Sequence, residues 1–455
     1  MFNGYAKNQL LGVCHKILLL KEGKIENSFC EVVGYVLGPE RRANVMCKLF
    51  EDLVRLKNEE DTHYHIFLGK DSDVSDMIRA LKDSSWFDLI QDPDSSKREV
   101  AKKIQEAFYE KSSSPNIKSK EFSEYFISED DFASVIDSFI DLSIYNGFGI
   151  RELIIEEVSE LIKTVDYKKY QYPVQFLKLS EVFELTDIQK KLLFFYYLLE
   201  SVSKFESFVK YTSLDFTERK NASSAFAKIL DVSQSKIKRE LRSSSKLSQA
   251  MLLEIDEKDI DLSDHICDFL QNDDEDSDIF SFFFEKSEVE TSLDVKNHSL
   301  KKEEVDAFKY LLKCDRGSNY LLHGAPGTGK TEFTKSIGKK LGVDVYKIKT
   351  HDSDSSDMLK EKRSALMAAK SMLTKNAILV IDEAEEILGS GSNIFYKDKS
   401  DHKAWLNTYM EEHAINIVWI TNDMTMHPST KRRFDLAICF ESFTRKQRVS
   451  ALKSI

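Results

Sequence analysis

The feature that most constrains this chain is an eight-residue glycine-rich segment, Gly324–Thr331, with the sequence GAPGTGKT. It matches the pattern GxxxxGK[ST], and it lies between a strand-like run, Asn319–His323, and a helix-like stretch, Glu332–Leu341, which is the context that the pattern requires. Its three glycines allow the backbone N–H groups to converge on one anion, and the N terminus of the following helix adds partial positive charge. The full match in this context favours a phosphate-binding loop over a glycine-rich turn of purely structural use.

The residues of this loop have separate predicted roles in binding a nucleoside triphosphate. Lys330 is expected to bridge the β- and γ-phosphates, and the hydroxyl of Thr331 is expected to hold Mg²⁺. The predicted nucleotide-binding residues are Gly324, Ala325, Pro326, Gly327, Thr328, Gly329, Lys330, Thr331 and Glu332.

Two further buried strands bring polar residues to the same predicted site. The four aliphatic residues Ile378–Ile381 are typical of a strand inside a parallel sheet, and they end at Asp382 and Glu383. Asp382 is expected to assist Thr331 in holding Mg²⁺, and Glu383 is expected to polarise the attacking water, which predicts hydrolysis. A third run of strand-forming residues ends at Asn422, whose amide is expected to orient that water.

Two adjacent arginines, Arg432 and Arg433, follow in the segment KRRFD. A local ion pair with Asp435 would not account for both of them. An arginine supplied across a subunit boundary can stabilise transition-state charge, so both residues are predicted to act in catalysis at a neighbouring subunit's site.

Together these motifs resemble those of one ATPase family. From about Leu300 the chain resembles the AAA branch of the AAA+ ATPases, with GAPGTGKT as Walker A, ILVIDE as Walker B, WITN as sensor 1 and KRRFD as the arginine-finger segment. Within that branch it is similar to bacterial proteins that have one AAA domain and a helical N-terminal half. The resemblance implies ATP and Mg²⁺ as cofactors and a ring of identical subunits, commonly a hexamer, in which a neighbour's arginine completes each site.

Two regions depart from the pattern of that family. Members that thread proteins carry an aromatic–aliphatic–glycine loop after the second strand, whereas Thr350–Lys360 offers only Met358 and Leu359 as apolar candidates. Threading is therefore not predicted. The short stretch after Phe440 is interpreted as the start of a truncated helical lid.

Length and glycine spacing predict the remaining organisation. A chain of 455 residues is expected to hold about three domains. No glycine occurs between Gly149 and Gly317, which predicts a mainly α-helical N-terminal region. The buried strands after it predict an α/β C-terminal P-loop ATPase domain, with a parallel sheet covered by helices on both faces. The predicted boundaries are 1–149 for a mixed α/β or helical domain, 150–271 for a helical domain, 272–299 for an acidic linker, 300–440 for the large ATPase subdomain and 441–455 for the start of the lid.

Charge divides sharply ahead of the ATPase domain. Residues 201–250 hold ten basic and five acidic residues, whereas residues 251–300 hold three basic and sixteen acidic residues. The acidic run at 272–278 is expected to stay solvated. The aromatic run that follows it, Ile279–Phe284, is expected to be buried against the last domain.

The basic stretch includes a segment, residues 222–242, that is similar to a helix-turn-helix. Asp231 begins the predicted turn, Ser233 is expected to cap the second helix, and Ile237 and Leu241 are expected to face inward. The residues then left facing outward are Gln234, Lys236, Lys238, Arg239 and Arg242. Such a segment suits either a recognition helix for DNA or a structural module that contacts protein.

Composition argues against several other classes of protein. The net charge of −12 opposes the coating of nucleic acid or an anionic membrane by the chain as a whole. The six cysteines include no CxxC pair, so neither a zinc site nor a disulfide framework is indicated. No apolar run approaches the ~18 residues of a membrane span, and we expect a cytoplasmic protein with no membrane partner.

The combined prediction is an ATPase that hydrolyses ATP with Mg²⁺, as a ring-forming homo-oligomer, to remodel an unidentified macromolecular partner. A protein partner is expected, and nucleic acid is the less favoured one. Two alternatives stay open. One is a nucleotide-binding regulatory or interaction protein with little turnover, and the other is a DNA-associated ATPase that uses the helix-turn-helix-like segment.

Overall fold

The structure is a computed structural model, and the described residues fall into two compact units. One unit comprises Met1–Pro173 and Leu198–Gln234, and the other comprises Val174–Tyr197 and Ser235–Ile455. The described residues are 148–164, 172–201, 214–272, 278–287, 294–298, 300–314, 316–351, 355–389, 399–412 and 414–442, with isolated positions between 11 and 45 and at 205, 206 and 209. Most of the predicted 1–149 domain, and the predicted lid segment from residue 443, lie outside them.

Helices and strands are numbered here along the described chain. The helices are α1 (Phe148–Thr164), α2 (Val174–Val182), α3 (Asp187–Ser201), α4 (Arg219–Leu230), α5 (Gln234–Glu240), α6 (Lys246–Gln249), α7 (Asp264–Gln271), α8 (Ile279–Phe283), α9 (Lys302–Leu312), α10 (Lys330–Leu341), α11 (Ser355–Met372), α12 (Glu385–Leu388), α13 (Lys399–Glu412) and α14 (Pro428–Lys431). The strands are β1 (Leu253–Ile255), β2 (Ile260–Leu262), β3 (Phe284–Lys286), β4 (Asn319–Gly324), β5 (Val345–Ile348), β6 (Ile378–Ile381), β7 (Asn416–Thr421) and β8 (Leu436–Phe440). Within the described ranges, no helix is both long enough and apolar enough to cross a membrane.

The first unit is helical at its described positions. Helix α1 holds Glu157, which is almost fully buried and lies 3.2 Å from Nη1 of Arg41. Ser159, on the same helix, lies with its hydroxyl 2.9 Å from Nε2 of His15. These contacts join α1 to helical positions close to the N terminus of the chain.

The second unit is built on a six-stranded sheet with the order β3-β5-β6-β7-β4-β8. Five neighbouring strands of this sheet, β5, β6, β7, β4 and β8, pair in parallel, as predicted. The sheet departs from a purely parallel one at its edge, where β3 pairs antiparallel with β5 and Phe284 lies opposite Ile348. This strand lies within residues 272–299, which the sequence suggests as a linker. Phe283 and Phe284, from the aromatic run Ile279–Phe284, are buried in the second unit.

The central strands are buried on both faces. Every residue of β6 and β7 is buried, as expected for parallel strands between helical layers. On one face, Phe333 of α10 packs against Phe308 of α9 and Phe440 of β8, with ring centroids 5.6 and 5.7 Å apart. Helices α11 and α13 are joined elsewhere in the unit by a 2.7 Å hydrogen bond from the hydroxyl of Tyr409 to the Leu366 carbonyl.

The helix-turn-helix-like segment forms two helices, α4 and α5, separated by a three-residue turn. Asp231 ends α4 in the left-handed region, with φ of 53°, so an aspartate occupies the turn conformation that glycine usually takes. Ile237 and Leu241 are fully buried, as predicted. The predicted outward-facing residues Gln234, Lys236, Lys238, Arg239 and Arg242 are all exposed.

Candidate functional site

The glycine-rich loop connects the end of β4 to the start of α10. Gly324, Gly327 and Gly329 all adopt positive φ, at 137°, 75° and 84°. The need for glycine is strictest at Gly324, where an added Cβ would lie 2.2 Å from the carbonyl oxygen of Phe440. The backbone can therefore follow this path only with glycine at that position, and the path delivers the chain to the N terminus of α10.

Lys330, the first residue of α10, extends its ammonium group back across the loop. Its Nζ donates to the carbonyl oxygens of Gly324 at 2.6 Å and Ala325 at 3.0 Å, and to Oδ1 of Asn422 at 3.2 Å. Burial lowers the pKa of Lys330 from its ordinary value, and the nearby Glu385 carboxylate opposes this shift. The ammonium group is thus held at the mouth of the loop by oxygen atoms that a phosphate would replace or join.

A hydroxyl and a carboxylate meet beside this ammonium group. Oγ1 of Thr331 lies 3.3 Å from Oδ2 of Asp382, and Nζ of Lys347 lies 3.7 Å from the same carboxylate oxygen. Oxygen ligands of this kind are the ones that Mg²⁺ takes in proteins. Thr331 and Asp382 could therefore hold the Mg²⁺ that accompanies a nucleoside triphosphate.

The sharp turn after β6 sets the position of Glu383. Its N–H donates to Oδ1 of Asp382 at 3.1 Å, and the N–H of Ala384 donates to the Ile420 carbonyl of β7 at 2.8 Å. Between these two bonds Glu383 takes φ of 52°, a left-handed conformation that is uncommon outside glycine. Its side chain is exposed, which leaves the carboxylate accessible to water at the carboxyl edge of the sheet.

Asn422 follows β7 and faces Lys330, as described above. Its own backbone N–H donates to Oε1 of Glu385, the first residue of α12. Sequence reasoning missed Glu385, although it lies only two residues beyond Glu383. The signal that was available was a third carboxylate directly after a strand that ends at the site.

The two arginines of the KRRFD segment differ in their surroundings. Arg433 donates to the carbonyl oxygens of Asn407, at 3.2 Å, and Ser429, and its Nη2 lies 2.8 Å from Oε1 of Glu411. Arg432 is exposed at the end of α14. The structure therefore separates two residues that the sequence treats alike, since Arg433 is bound within its own unit.

Other predicted nucleotide contacts lie along the loop and the first turn of α10. Pro326 and Gly327 are exposed in the loop, whereas Glu332 is half-buried on α10. The hydroxyl of Thr328 donates to the Ala325 carbonyl at 2.8 Å, which closes the loop on itself.

Comparisons with known proteins agree with this arrangement. Residues 320–442 match the family described as "ATPase family associated with various cellular activities (AAA)". Over 154 residues the chain is 27% identical to replication factor C subunit 1 of Drosophila melanogaster, and the match covers 31% of this chain and 15% of that protein. Over 107 residues it is 26% identical to the replication factor C large subunit of Methanococcus maripaludis, which covers 23% of this chain and 22% of that protein.

Two more distant or shorter matches complete the comparison. Over 71 residues the chain is 38% identical to chromosome transmission fidelity protein 18 of Saccharomyces cerevisiae, covering 16% of this chain and 10% of that protein. The solved structure of an E. coli HORMA:CdnC:Trip13 complex includes a chain that is 20% identical, with 35% of this chain and 58% of that chain covered and a TM-score of 0.24, too low to carry an argument. The chain thus spans less than a quarter of each curated relative named here.

The family match begins at Tyr320 in β4 and ends two residues after β8, so it covers the loop, both acidic residues of the β6 turn and Asn422. It coincides with the parallel part of the sheet and with the residues that meet at its carboxyl edge. Residues 320–442 therefore form an AAA domain, of the ATPase family associated with various cellular activities.

Proposed function

We propose that the AAA domain binds ATP with Mg²⁺ and hydrolyses it, and that the protein does so as a ring-forming homo-oligomer that remodels a protein partner. The observation that carries the proposal is the meeting of four side chains from three strand ends. Lys330 and Thr331 follow β4, Asp382 follows β6, and Asn422 follows β7. This is the set needed to neutralise phosphate charge, to hold a cation and to orient a nucleophile.

Each residue has a distinct role in this proposal. The loop amides and Lys330 bind the phosphates, while Thr331 and Asp382 hold Mg²⁺, which neutralises charge on the phosphate oxygens when it is bound. The carboxylate of Glu383 accepts a proton from the attacking water, and the Asn422 amide helps to orient that water. The exposed position of Glu383 and the contact between Lys330 and Asn422 support these roles.

The proposed ring rests on Arg432. Because Arg432 is exposed whereas Arg433 is bound to groups of its own unit, Arg432 is the better candidate for contact with a neighbour's nucleotide. An arginine that acts in this way stabilises transition-state charge, so its loss should lower turnover more than nucleotide affinity.

A comparison of wild type with Glu383→Gln tests the hydrolytic role. The amide cannot act as a base, so the variant should bind ATP as tightly as wild type and hydrolyse it far more slowly. Unchanged hydrolysis by the variant would contradict the role of Glu383. Tight ATP binding by a wild type that shows no turnover would instead favour the alternative of a nucleotide-binding regulatory protein. Partners retained by the stalled variant, and not by wild type, would identify what is remodelled.

A DNA-associated ATPase is the second candidate. In its favour are the exposed basic residues of α5 and the names of the relatives, which include a replication factor and a chromosome transmission protein. Against it stands the acidic stretch at residues 251–300, which is separated from the end of α5 by ten residues and repels phosphate. We therefore expect no DNA binding at physiological salt.

Salt-dependent DNA binding tests this second candidate. If wild type binds DNA, changing Lys236, Lys238 and Arg239 together to Glu should abolish retention and reduce the salt slope. Sequence-specific binding at physiological salt that disappears in this variant would make DNA association the better reading.

A further inference from the structure

The proposed base, Glu383, has a backbone conformation that needs support. A non-glycine residue with φ of 52° is uncommon and carries a cost in free energy, so it persists only where its surroundings hold it. Its N–H is held by Asp382, and the next peptide is held by the bond from Ala384 to β7. The remaining polar group of its backbone is the carbonyl oxygen, and restraining it restrains the backbone dihedrals that set the direction of the Cα–Cβ bond.

The carbonyl oxygen of Glu383 accepts a hydrogen bond from a buried lysine. Nζ of Lys362, on α11, lies 3.1 Å from this oxygen and 3.4 Å from Oε2 of Glu386. The Lys362 side chain is only 5% exposed, whereas that of Glu386 is 26% exposed. A charged donor in a site that excludes water makes a stronger hydrogen bond than one at the surface.

Helix α11 is itself fixed beside Lys362. The next residue, Arg363, donates from Nε to the Gln249 carbonyl at 2.9 Å, and Ser364 donates to the Ala250 carbonyl at 2.6 Å. The lysine therefore extends from a helix that is anchored by the two residues directly after it. A functional group is positioned most accurately when its supporting residues are locked in this way.

We propose that Lys362 is a positioning residue that holds the peptide carbonyl of Glu383 and so keeps the Glu383 carboxylate aimed at the water-attack position. The inference rests on the proposed hydrolysis of ATP, and it adds a residue outside the Walker motifs on which the rate of that hydrolysis depends. The proposal requires no contact between Lys362 and the nucleotide. Lys362 acts on the base through the backbone of the turn.

The same lysine also forms an ion pair, so a structural role has to be separated from a positioning role. If Lys362 served only to pair with Glu386, then Glu386→Gln should have the same effect on turnover as loss of the lysine. If Lys362 positions Glu383, then Glu386→Gln should leave turnover close to that of wild type, because the bond to the carbonyl persists.

The experiment compares single-site variants of the full chain. Lys362→Met removes the ammonium group but keeps the length of the side chain, and Lys362→Arg keeps a charged donor. Lys360→Met is the matched control, because Lys360 lies two residues before Lys362 on α11 and pairs with Glu254 and Asp357. Steady-state kcat and KM for ATP, the affinity for a fluorescent ATP analogue and the thermal midpoint are measured for each.

We expect Lys362→Met to lower kcat about 10- to 100-fold, the scale seen when a reacting group is misplaced by about 1 Å, with little change in nucleotide affinity. Lys362→Arg should recover part of the rate, and Glu386→Gln and Lys360→Met should turn over like wild type. If Lys362→Met does not fold, the double variant Lys362→Met with Glu386→Gln leaves no unpaired buried charge and should show the same loss of kcat.

Two outcomes would overturn the inference. One is wild-type kcat in a folded variant that lacks the lysine, and the other is an equal loss in Glu386→Gln. Failure of the proposed function is a different result, because wild type itself would then bind ATP without turnover.

Discussion

Arg433→Ala is expected to destabilise the second unit, whereas Arg432→Ala is expected to leave its stability unchanged and to lower turnover. The structural basis is the contrast between two neighbours in sequence. The side chain of Arg433 is 14% exposed and contacts Asn407, Ser429 and Glu411, whereas Arg432 is exposed.

The expected size of the effect follows from the contacts of Arg433. A hydrogen bond to a charged group contributes about 1.5–3 kcal/mol to stability. The ion pair with Glu411 contributes less to stability, about 0.2–1 kcal/mol, because the Glu411 side chain is 59% exposed and solvent screens the pair. The two hydrogen bonds to carbonyl oxygens and the screened ion pair together give about 3–7 kcal/mol, so we expect Arg433→Ala to lower the free energy of unfolding by about 3 kcal/mol or more. For a unit of this size a loss of about 3 kcal/mol lowers the midpoint temperature by about 6–12 °C.

The assay measures thermal unfolding and ATPase rate for wild type and both variants over a range of protein concentrations. Arg432→Ala should unfold with wild-type midpoint and bind ATP normally, but its specific activity should stay low as the concentration rises. Wild-type specific activity should rise with concentration, because each site needs a neighbour's arginine. Mixing Arg432→Ala with Lys330→Ala subunits should recover part of the activity, since each supplies what the other lacks.

The reverse pattern would refute this reasoning. If Arg433→Ala kept the wild-type midpoint and lost activity, while Arg432→Ala hydrolysed ATP normally, then Arg433 would leave its intradomain partners in the assembled protein. Wild-type specific activity that does not depend on concentration, together with a mixture that stays inactive, would contradict the shared site itself.

Three further perturbations have defined outcomes. Lys330→Ala should abolish ATP binding measured with a fluorescent analogue, because it removes the loop's ammonium group; tight binding by this variant would contradict the assignment. Gly324→Ala should also prevent binding and should destabilise the fold, because its Cβ would lie 2.2 Å from the Phe440 carbonyl oxygen, and wild-type binding and midpoint would show that the backbone there yields. Burial lowers the pKa of His265 and of His402 to about 4, so both protonate in the unfolded chain before they do in the folded one. Stability should therefore be fully present above pH 6.5 and fall as the pH is lowered toward 4, and a His402→Gln variant should lose less stability over that window.

The polar residues at the carboxyl edge of the sheet could be predicted from sequence because the signal comes from residues that are adjacent in the chain. Strand β6 is a run of buried aliphatic residues followed at once by Asp382, and the glycine-rich loop marks the end of β4. Parallel strands bring such ends to one edge of the sheet, which predicts that Thr331 and Asp382 share that edge, whereas their 3.3 Å separation depends on the strand order. The roles of Glu383 and Asn422 remain proposals, although the rule also accounts for where they lie.

Long-range pairing is what the sequence could not supply. Strand β3 has three residues, too few for a period to be recognised. Its antiparallel pairing with β5 joins residues about 60 positions apart in the chain. Lys362 is in a helix that carries many charged residues, and only the tertiary fold distinguishes it from the exposed ones by burying its side chain. The difference between Arg432 and Arg433 likewise depends on α13, which lies earlier in the chain and approaches only one of them.

The edge strand β3 has a practical consequence for any attempt to study the ATPase part alone. A fragment that starts at residue 300, where the family resemblance begins, would lack β3 and the buried Phe283 and Phe284. Strand β5 would then become the outermost strand, with its N–H and C=O groups unpaired and open to association with another molecule. Such a fragment should tend to aggregate, whereas one that begins ahead of Asp278, which caps α8, should keep its sheet edge closed.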